Sequence, residues 1–404
     1  MKNSGSSPDL PLLSLPMAAV MTAQFLSAFA DNALLIAAIA LLKARNETGL
    51  IPGLQESFIV PYILLAPFAG PLADSFPKGR VMFGANALKL AGTALILAGT
   101  HPLIGYALVG IGATLYSPAK YGILTQLFSA AKLVRANGML EGSTIAAILL
   151  GTVSGGLLAD HSVNLALIAV TMLYVLAAAA NLLIPRLSPE HPLSQFRPSI
   201  LLRDFFSALA TLTANRDARF SLLGTSVFWG AGAALRLLLF AWVPIALGIL
   251  DNQTPSYLIA ALSIGIVAGA LSAGGFIALA SVNRALLGGL MLGPLIIAFA
   301  YSSSMVTAAI WLVLIGACGG IFAVPLNALL QERGHNSTGT GHAVAAQNLF
   351  ENLSMLLFVG LYAGMQASRL TPVTATTTFG GLLCGGLFAL SAWRLRSRRQ
   401  QFSS

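Results

Sequence analysis

Apolar stretches of roughly 20 residues follow one another along this 404-residue chain, with most of its charge confined to the short segments between them. A stretch of that length, wound as a helix, crosses the roughly 30 Å hydrocarbon core of a bilayer. The strict alternation of a barrel strand is missing, so the runs read as helices. Only 9% of residues are charged and 56% are hydrophobic, where soluble domains carry about 25% charge. Such a chain cannot cover itself with polar groups in water. In lipid its backbone must satisfy its own hydrogen bonds. Residues 1–16 are polar and proline-bearing, and the first apolar run is too long for a signal-peptide core, so no cleavable leader is expected. Cys318 and Cys384 sit inside apolar runs without metal-ligand neighbours, which suits packing and argues against a disulfide framework.

The pattern predicts an all-α polytopic membrane protein with twelve spans, at 17–43, 55–75, 81–100, 103–125, 139–159, 163–184, 219–248, 256–280, 285–302, 304–330, 342–368 and 372–393. With the N-terminus inside, most Lys and Arg fall on one face, from Lys2, Lys78 and Arg80 to Arg394, Arg396, Arg398 and Arg399. Only Lys43, Arg45 and Arg369 fall on the other. That asymmetry predicts two cytoplasmic termini. It also excludes nucleic acid as the reason for the net charge of +9, because the charge is spread over every inner loop.

The longest hydrophilic segment, 185–218, lies near the midpoint and holds Pro185, Pro189, Pro192 and Pro198. Leu201, Leu202, Phe205, Phe206, Leu209 and Leu212 then recur at helical spacing, predicting a short amphipathic linker helix on the inner membrane surface. The halves on either side echo each other. Gly110-Ile111-Gly112-Ala113 in span 4 corresponds to Leu314-Ile315-Gly316-Ala317 in span 10. Glu141 precedes Gly151-x-x-x-Gly155 in span 5, as Glu351 precedes Gly360-x-x-x-Gly364 in span 11. The expected organisation is a six-helix bundle at 1–188, a linker at 189–216 and a second, pseudo-symmetric bundle at 217–404. This is the plan of alternating-access transporters. Helix packing is the expected role of the paired glycines.

Between spans 2 and 3 the chain reads Gly70-Pro-Leu-Ala-Asp74-Ser-Phe-Pro-Lys78-Gly79-Arg80. This resembles the signature loop of the major facilitator superfamily, with two extra residues between Asp74 and Gly79. The resemblance implies a conformational latch made of Asp74, Lys78 and Arg80, which grips neighbouring inner helix ends in one state and releases them in another.

Charges inside spans cost roughly 2.5–3.5 kcal/mol each at a helix centre, so each needs a partner or a wet cavity. Asp31, Lys89, Lys120, Arg236 and Glu351 are such residues. Glu141, read as lying near an inner helix start, suits the helix dipole and is set aside. In the superfamily arrangement, spans 1, 4, 7 and 10 line a central cavity, towards which Asp31, Lys120, Arg236 and Glu351 would converge. Lys89 in span 3 falls outside that ring and is expected to be structural or snorkelling. The Arg236 fork suits a phosphate. Lys120 adds positive charge, and Asp31 and Glu351 can receive an ammonium or pair with the cations. Permanent internal ion pairs that only position helices remain an alternative.

The strings Ala30-Asp31-Asn32-Ala33 and Ser117-Pro118-Ala119-Lys120-Tyr121-Gly122, with Ala136-Asn137-Gly138 before Glu141, resemble the bacterial lysophospholipid transporter family. The resemblance covers nearly the whole chain. It implies a major facilitator fold and no cofactor. It implies movement of lysophosphatidylethanolamine and related monoacyl lipids from the outer to the cytoplasmic leaflet of the bacterial inner membrane. Asp31, Asn32, Lys120, Tyr121, Arg236 and Glu351 would bind the substrate. It also implies an acyl-carrier-protein-dependent acyltransferase as functional partner, expected as a separate protein because no such domain precedes Ser404. A proton-coupled drug or organic-ion facilitator, with Asp31 or Glu351 carrying the proton, is the competing reading. A membrane enzyme is not expected: there is no His-Glu-x-x-His, no Gly-x-Ser-x-Gly and no Cys/His metal spacing, and the histidines at 101, 161, 191, 335 and 342 are dispersed.

Overall fold

A computed structural model describes residues 9–191, 197–249 and 253–402. Lys2 and linker positions 192–196 lie outside the described residues. Among those described there are helices and turns but no strand. In chain order the helices are α1 (Leu15–Ala44), α2 (Ile51–Leu64), α3 (Ala66–Ser75), α4 (Lys78–Leu97), α5 (Pro102–Leu127), α6 (Ala130–His161) and α7 (Val163–Leu182). Then follow α8 (Pro198–Ala214), α9 (Arg216–Ala246), α10 (Gln253–Phe276), α11 (Ala285–Ala300), α12 (Met305–His335), α13 (Thr340–Ala367) and α14 (Pro372–Phe402).

Twelve of these segments span the membrane. Ten are helices long and apolar enough to cross, one of them α11 continued back through the 3₁₀ turn Leu279–Arg284. The eleventh is the α2–α3 pair, bent by 63°. The twelfth is α5, whose 26 residues suffice in length but whose apolar density is diluted by Ser117, Pro118 and Lys120. The second span, expected at 55–75, is not one continuous helix. It breaks at Leu65 because Pro67 has no N–H to bond the carbonyl a turn back. The signature segment is correspondingly not a loop. Asp74 is still helical in α3, Lys78 opens α4, and only Phe76 and Pro77 lie between.

Helix ends follow from the sequence. Pro16 and Pro102 sit in the first turns of α1 and α5, where a missing N–H costs nothing. After α4, Gly99 takes a φ of 94°; its N–H bonds Ile96 and that of Thr100 bonds Leu95, the pattern of a left-handed C-cap. The predicted amphipathic linker is α8. Leu201, Phe205, Ala208 and Leu212 are buried, while Phe206 is 58% exposed.

The helices cluster into two units. One comprises residues 1–136, 143–212 and 331–349, and the other 137–142, 213–330 and 350–404. In the first, Ala33, Leu34, Ala37, Val109 and Ala166 pack around the buried rings of Tyr106 and Tyr174. The second is built on larger side chains. Trp242 packs against Phe299 with ring centroids 4.5 Å apart and planes tilted by 40°, and it donates its indole N–H to the Ala300 carbonyl at 3.0 Å. Outward faces carry exposed Leu157, Ile168, Met172 and Leu176, the surface that meets acyl chains.

Candidate functional site

The first unit holds a mid-span charge cluster. Lys89 Nζ of α4 lies 2.7 Å from Asp31 Oδ2 of α1 and donates to Ser27 Oγ at 3.0 Å. Ser27 donates to Asn86 at 2.7 Å, and the Tyr174 hydroxyl of α7 donates to Asp31 Oδ1 at 2.7 Å. The Tyr116 ring stands 5.1 Å from the ammonium. Ser27 and Asp31 are one turn apart on α1, as Asn86 and Lys89 are on α4, so two helix faces present matching polar edges. Lys89 is 1% exposed. It therefore does not snorkel; it is the ion-pair partner of Asp31.

Glycines of α5 make room for both lysines of α4. A Cβ on Gly112 would lie 2.6 Å from Lys89 Cγ, and one on Gly122 would lie 2.8 Å from Lys78 Nζ. The two helices run antiparallel, so the lysine at the α4 start meets the glycine nearer the α5 end. Gly122 closes the Lys-Tyr-Gly string, and its place in that string thereby has a steric reason.

The other expected site residues divide between the units. In the first, Asn32 donates to the Ala28 carbonyl of its own helix at 2.8 Å. Lys120 is buried, with its ammonium 4.2 Å from the centroid of the Tyr121 ring. One turn earlier on α5, Ser117 accepts from Asn348 at 3.0 Å. In the second unit, Glu351 is buried on α13 and Arg236 lies on α9. The Arg236 side chain is exposed and makes no hydrogen bond or ion pair among the described residues. Glu141 departs from expectation. Because α6 begins at Ala130, Glu141 sits about three turns in. It is 6% exposed and accepts from Asn327 at 3.3 Å, so no helix dipole accounts for it.

The glycine pairs also diverge. A Cβ on Gly151 would run into the Phe29 carbonyl, and one on Gly155 would lie 2.7 Å from Ala33 Cα, so α6 packs tightly on α1 beside Asp31. Gly360 and Gly364 have nothing within 4 Å, which corrects the expected packing role for that pair.

Where α3 meets the start of α13 in the first unit, Asp74 accepts from the backbone N–H of Gly341 at 2.7 Å and of His342 at 3.1 Å. Those are orphan donors of the first turn of α13. His342 Nδ1 lies 2.9 Å from the same carboxylate, which only accepts, so that nitrogen carries the proton. Lys78 pairs with Asp74 at 3.0 Å and approaches Glu190 at 3.7 Å. Glu190 in turn accepts from the Thr340 N–H at 3.0 Å and meets His335 at 3.3 Å. Of the expected latch residues, Asp74 and Lys78 are buried together, while Arg80 is exposed and makes no polar bond among the described residues. Tyr174, Ser27 and Glu190 went unnoticed in the sequence, and His342 was set aside among the dispersed histidines. Only the Ser27–Asp31 and Asn86–Lys89 spacings hinted at any of them.

Among the described residues, no three His, Cys, Asp or Glu side chains group as a metal site requires.

Residues 20–359 match the family profile of the Major Facilitator Superfamily. The chain is 53% identical over 356 residues to the "Lysophospholipid transporter LplT" of Serratia proteamaculans, covering 88% of this chain and 89% of the relative. It is 50% identical over 386 residues to the protein of the same name from Salmonella arizonae, covering 95% and 97%. Among solved structures, the major facilitator transporter FucP in the outward conformation superposes with a TM-score of 0.75 at 15% identity, over 94% of this chain and 98% of that one. A bacterial homologue of the iron transporter ferroportin, in an outward-facing state, gives 0.71 at 15% identity, over 93% and 99%.

Proposed function

The chain belongs to the major facilitator superfamily and, within it, to the lysophospholipid transporters, and from that premise we propose how it handles its substrate. It moves lysophosphatidylethanolamine and related monoacyl phospholipids from the outer to the cytoplasmic leaflet of the bacterial inner membrane by alternating access. Both termini lie in the cytoplasm, and a separate acyltransferase restores the second chain. The two bundles, 1–188 and 217–404, are the moving parts, joined by the linker at 189–216.

The observation that carries this reading is Arg236. A guanidinium within a span is expensive unless it faces a polar cavity or a partner. It makes no polar bond among the described residues and is exposed, and its planar fork fits two phosphate oxygens. Lys120, softened by the Tyr121 ring, supplies the second positive charge. Asp31 and Glu351 receive the ammonium, Asp31 through the lone pairs left beside its bonds to Lys89 and Tyr174. Asn32 positions the helix at that point. Asp74, Lys78 and Arg80 form the latch, in which the grip of Asp74 on α13 belongs to one state of the cycle.

The test is uptake of labelled lysophosphatidylethanolamine into proteoliposomes, scored as label protected from albumin extraction. Wild type should protect label, and folded Arg236→Ala should not. If wild type protects no more label than empty liposomes, the proposed substrate is wrong. If Arg236→Ala protects as well as wild type, the phosphate assignment is wrong.

A further inference from the structure

The start of α4 and the end of α7 meet around a small cleft lined by Pro77, Gly79, Arg80, Asn181, Ile184 and Arg186. Its volume is about 140 Å³, where a single water needs roughly 10–15 Å³. Gly79 permits the approach: a Cβ there would lie 3.1 Å from the Ile184 side chain. None of these residues belongs to the proposed substrate site, although Arg80 belongs to the latch motif.

Three independent features of the cleft point to one kind of ligand. Arg80 and Arg186 are both exposed, and neither has a hydrogen-bond or ion-pair partner among the described residues. Asn181 is 2% exposed, yet neither its amide nitrogen nor its amide oxygen has a hydrogen-bond partner. Buried amides are rarely left so, and an unfilled one calls for a ligand or an ordered water. The first turn of α4, where the Arg80 N–H already bonds the Pro77 carbonyl at 2.8 Å, leaves the Lys78 and Gly79 N–H groups and adds a preference for negative charge at the same place. The third feature is the rim. Phe76, Phe83, Leu182 and Leu183 are 50%, 38%, 69% and 69% exposed, an apolar border that in a membrane protein meets acyl chains. Two guanidinium groups with no acid among the lining residues favour a headgroup of net negative charge over a zwitterion.

We propose that this cleft binds the phosphate of an anionic phospholipid of the surrounding leaflet, a resident lipid distinct from the transported one. The phosphate lies between the Arg80 and Arg186 side chains and accepts from the Asn181 amide, and its acyl chains rest on Phe83 and Leu182. Lys78, two residues before Arg80, pairs with Asp74. A lipid held at the α4 start therefore sits beside the grip on α13.

Native mass spectrometry of the full-length protein with added phosphatidylglycerol or phosphatidylcholine tests this. Wild type should retain one more phosphatidylglycerol than Arg80→Gln/Arg186→Gln, with binding weakened about ten-fold or more in the double variant. Phosphatidylcholine retention should not differ between them. Asn181→Leu removes the amide without touching charge and should also weaken phosphatidylglycerol binding, which keeps the test open if the double variant misfolds. Arg135→Gln changes an exposed arginine elsewhere on the same chain and should bind as wild type. Equal retention by wild type and either cleft variant overturns the proposal, as does an equal loss in Arg135→Gln. Displacement of the lipid by millimolar inorganic phosphate would overturn the lipid as ligand and leave a soluble-anion site.

Discussion

Each unit carries charge within its spans and handles it differently. In the first, Asp31 and Lys89 lie 2.7 Å apart and are tied to Ser27 and Tyr174. In the second, Arg236 is exposed and makes no bond among the described residues. A paired charge is part of the framework, because removing either member strands the other in a poorly solvated place. Arg236, by contrast, makes no polar bond among the described residues that holds a helix in place. Charges within spans therefore predict opposite mutant phenotypes according to whether they are paired.

The largest expected effect falls on the paired side. Asp31→Ala should lower unfolding free energy by about 3–5 kcal/mol, as breaking one side of a buried pair does. Asp31→Ala/Lys89→Met should recover most of that, because the stranded ammonium goes too. Thermal unfolding in detergent reads both. A double variant no more stable than the single one would show that the pair does not act as a unit.

Arg236→Ala should do the reverse. Its thermal midpoint should stay with wild type, while transport falls about 100-fold, the equivalent of roughly 2.7 kcal/mol of lost charge-assisted bonding. Arg236→Lys keeps the charge but not the fork and should fall in between. A variant that loses stability as Asp31→Ala does would place Arg236 in the framework and erase the contrast.

Much of this contrast was legible in the sequence, and part of it was not. The spans, the linker and the five mid-span charges follow from hydropathy, which is a local property. Pairing is not local: Tyr174 reaches Asp31 across 143 positions, and no spacing rule connects them. Lys89 looked peripheral because span order alone was used to place it; Gly112 opens the groove that turns it inward. Glu141 was misjudged because hydropathy marks only the apolar part of a helix. The polar first turns of α6, through Ala130, Arg135 and Asn137, are helical as well. The bend at Leu65 could have been read from Pro67, but an apolar run hides it.

The two glycine pairs carry the comparison into packing. Gly155→Val places a branched side chain against Ala33 Cα and should cost about 1–3 kcal/mol or more. Gly364→Val meets open space and should stay within about 0.5 kcal/mol after allowing for propensity. Thermal unfolding of both variants reads the difference, and equal losses would mean that Gly364 is packed in a way this contact pattern does not contain.

The smallest effect concerns the grip on the start of α13. Asp74→Asn keeps the side-chain shape and one carbonyl acceptor but loses the charge that Lys78 and the first turn of α13 both use. A charged cap at a helix start is worth about 0.5–2 kcal/mol, and the buried Lys78 ammonium that Asp74 leaves keeps Glu190 at 3.7 Å as a partner, so global stability should drop less than it does for Asp31→Ala. The effect should instead be local. Amides at Gly341 and His342 should exchange with deuterium several-fold faster, because opening this turn no longer breaks a charge-assisted pair. Exchange at Trp242, whose indole is bonded within the core of the second unit, serves as the internal reference and should not move. Acceleration at both places would mean that Asp74 supports the whole fold. Acceleration confined to 341–342 would mean that Asp74 holds this turn by a removable contact, beside the one that Glu190 makes to the Thr340 N–H, which is what a latch requires.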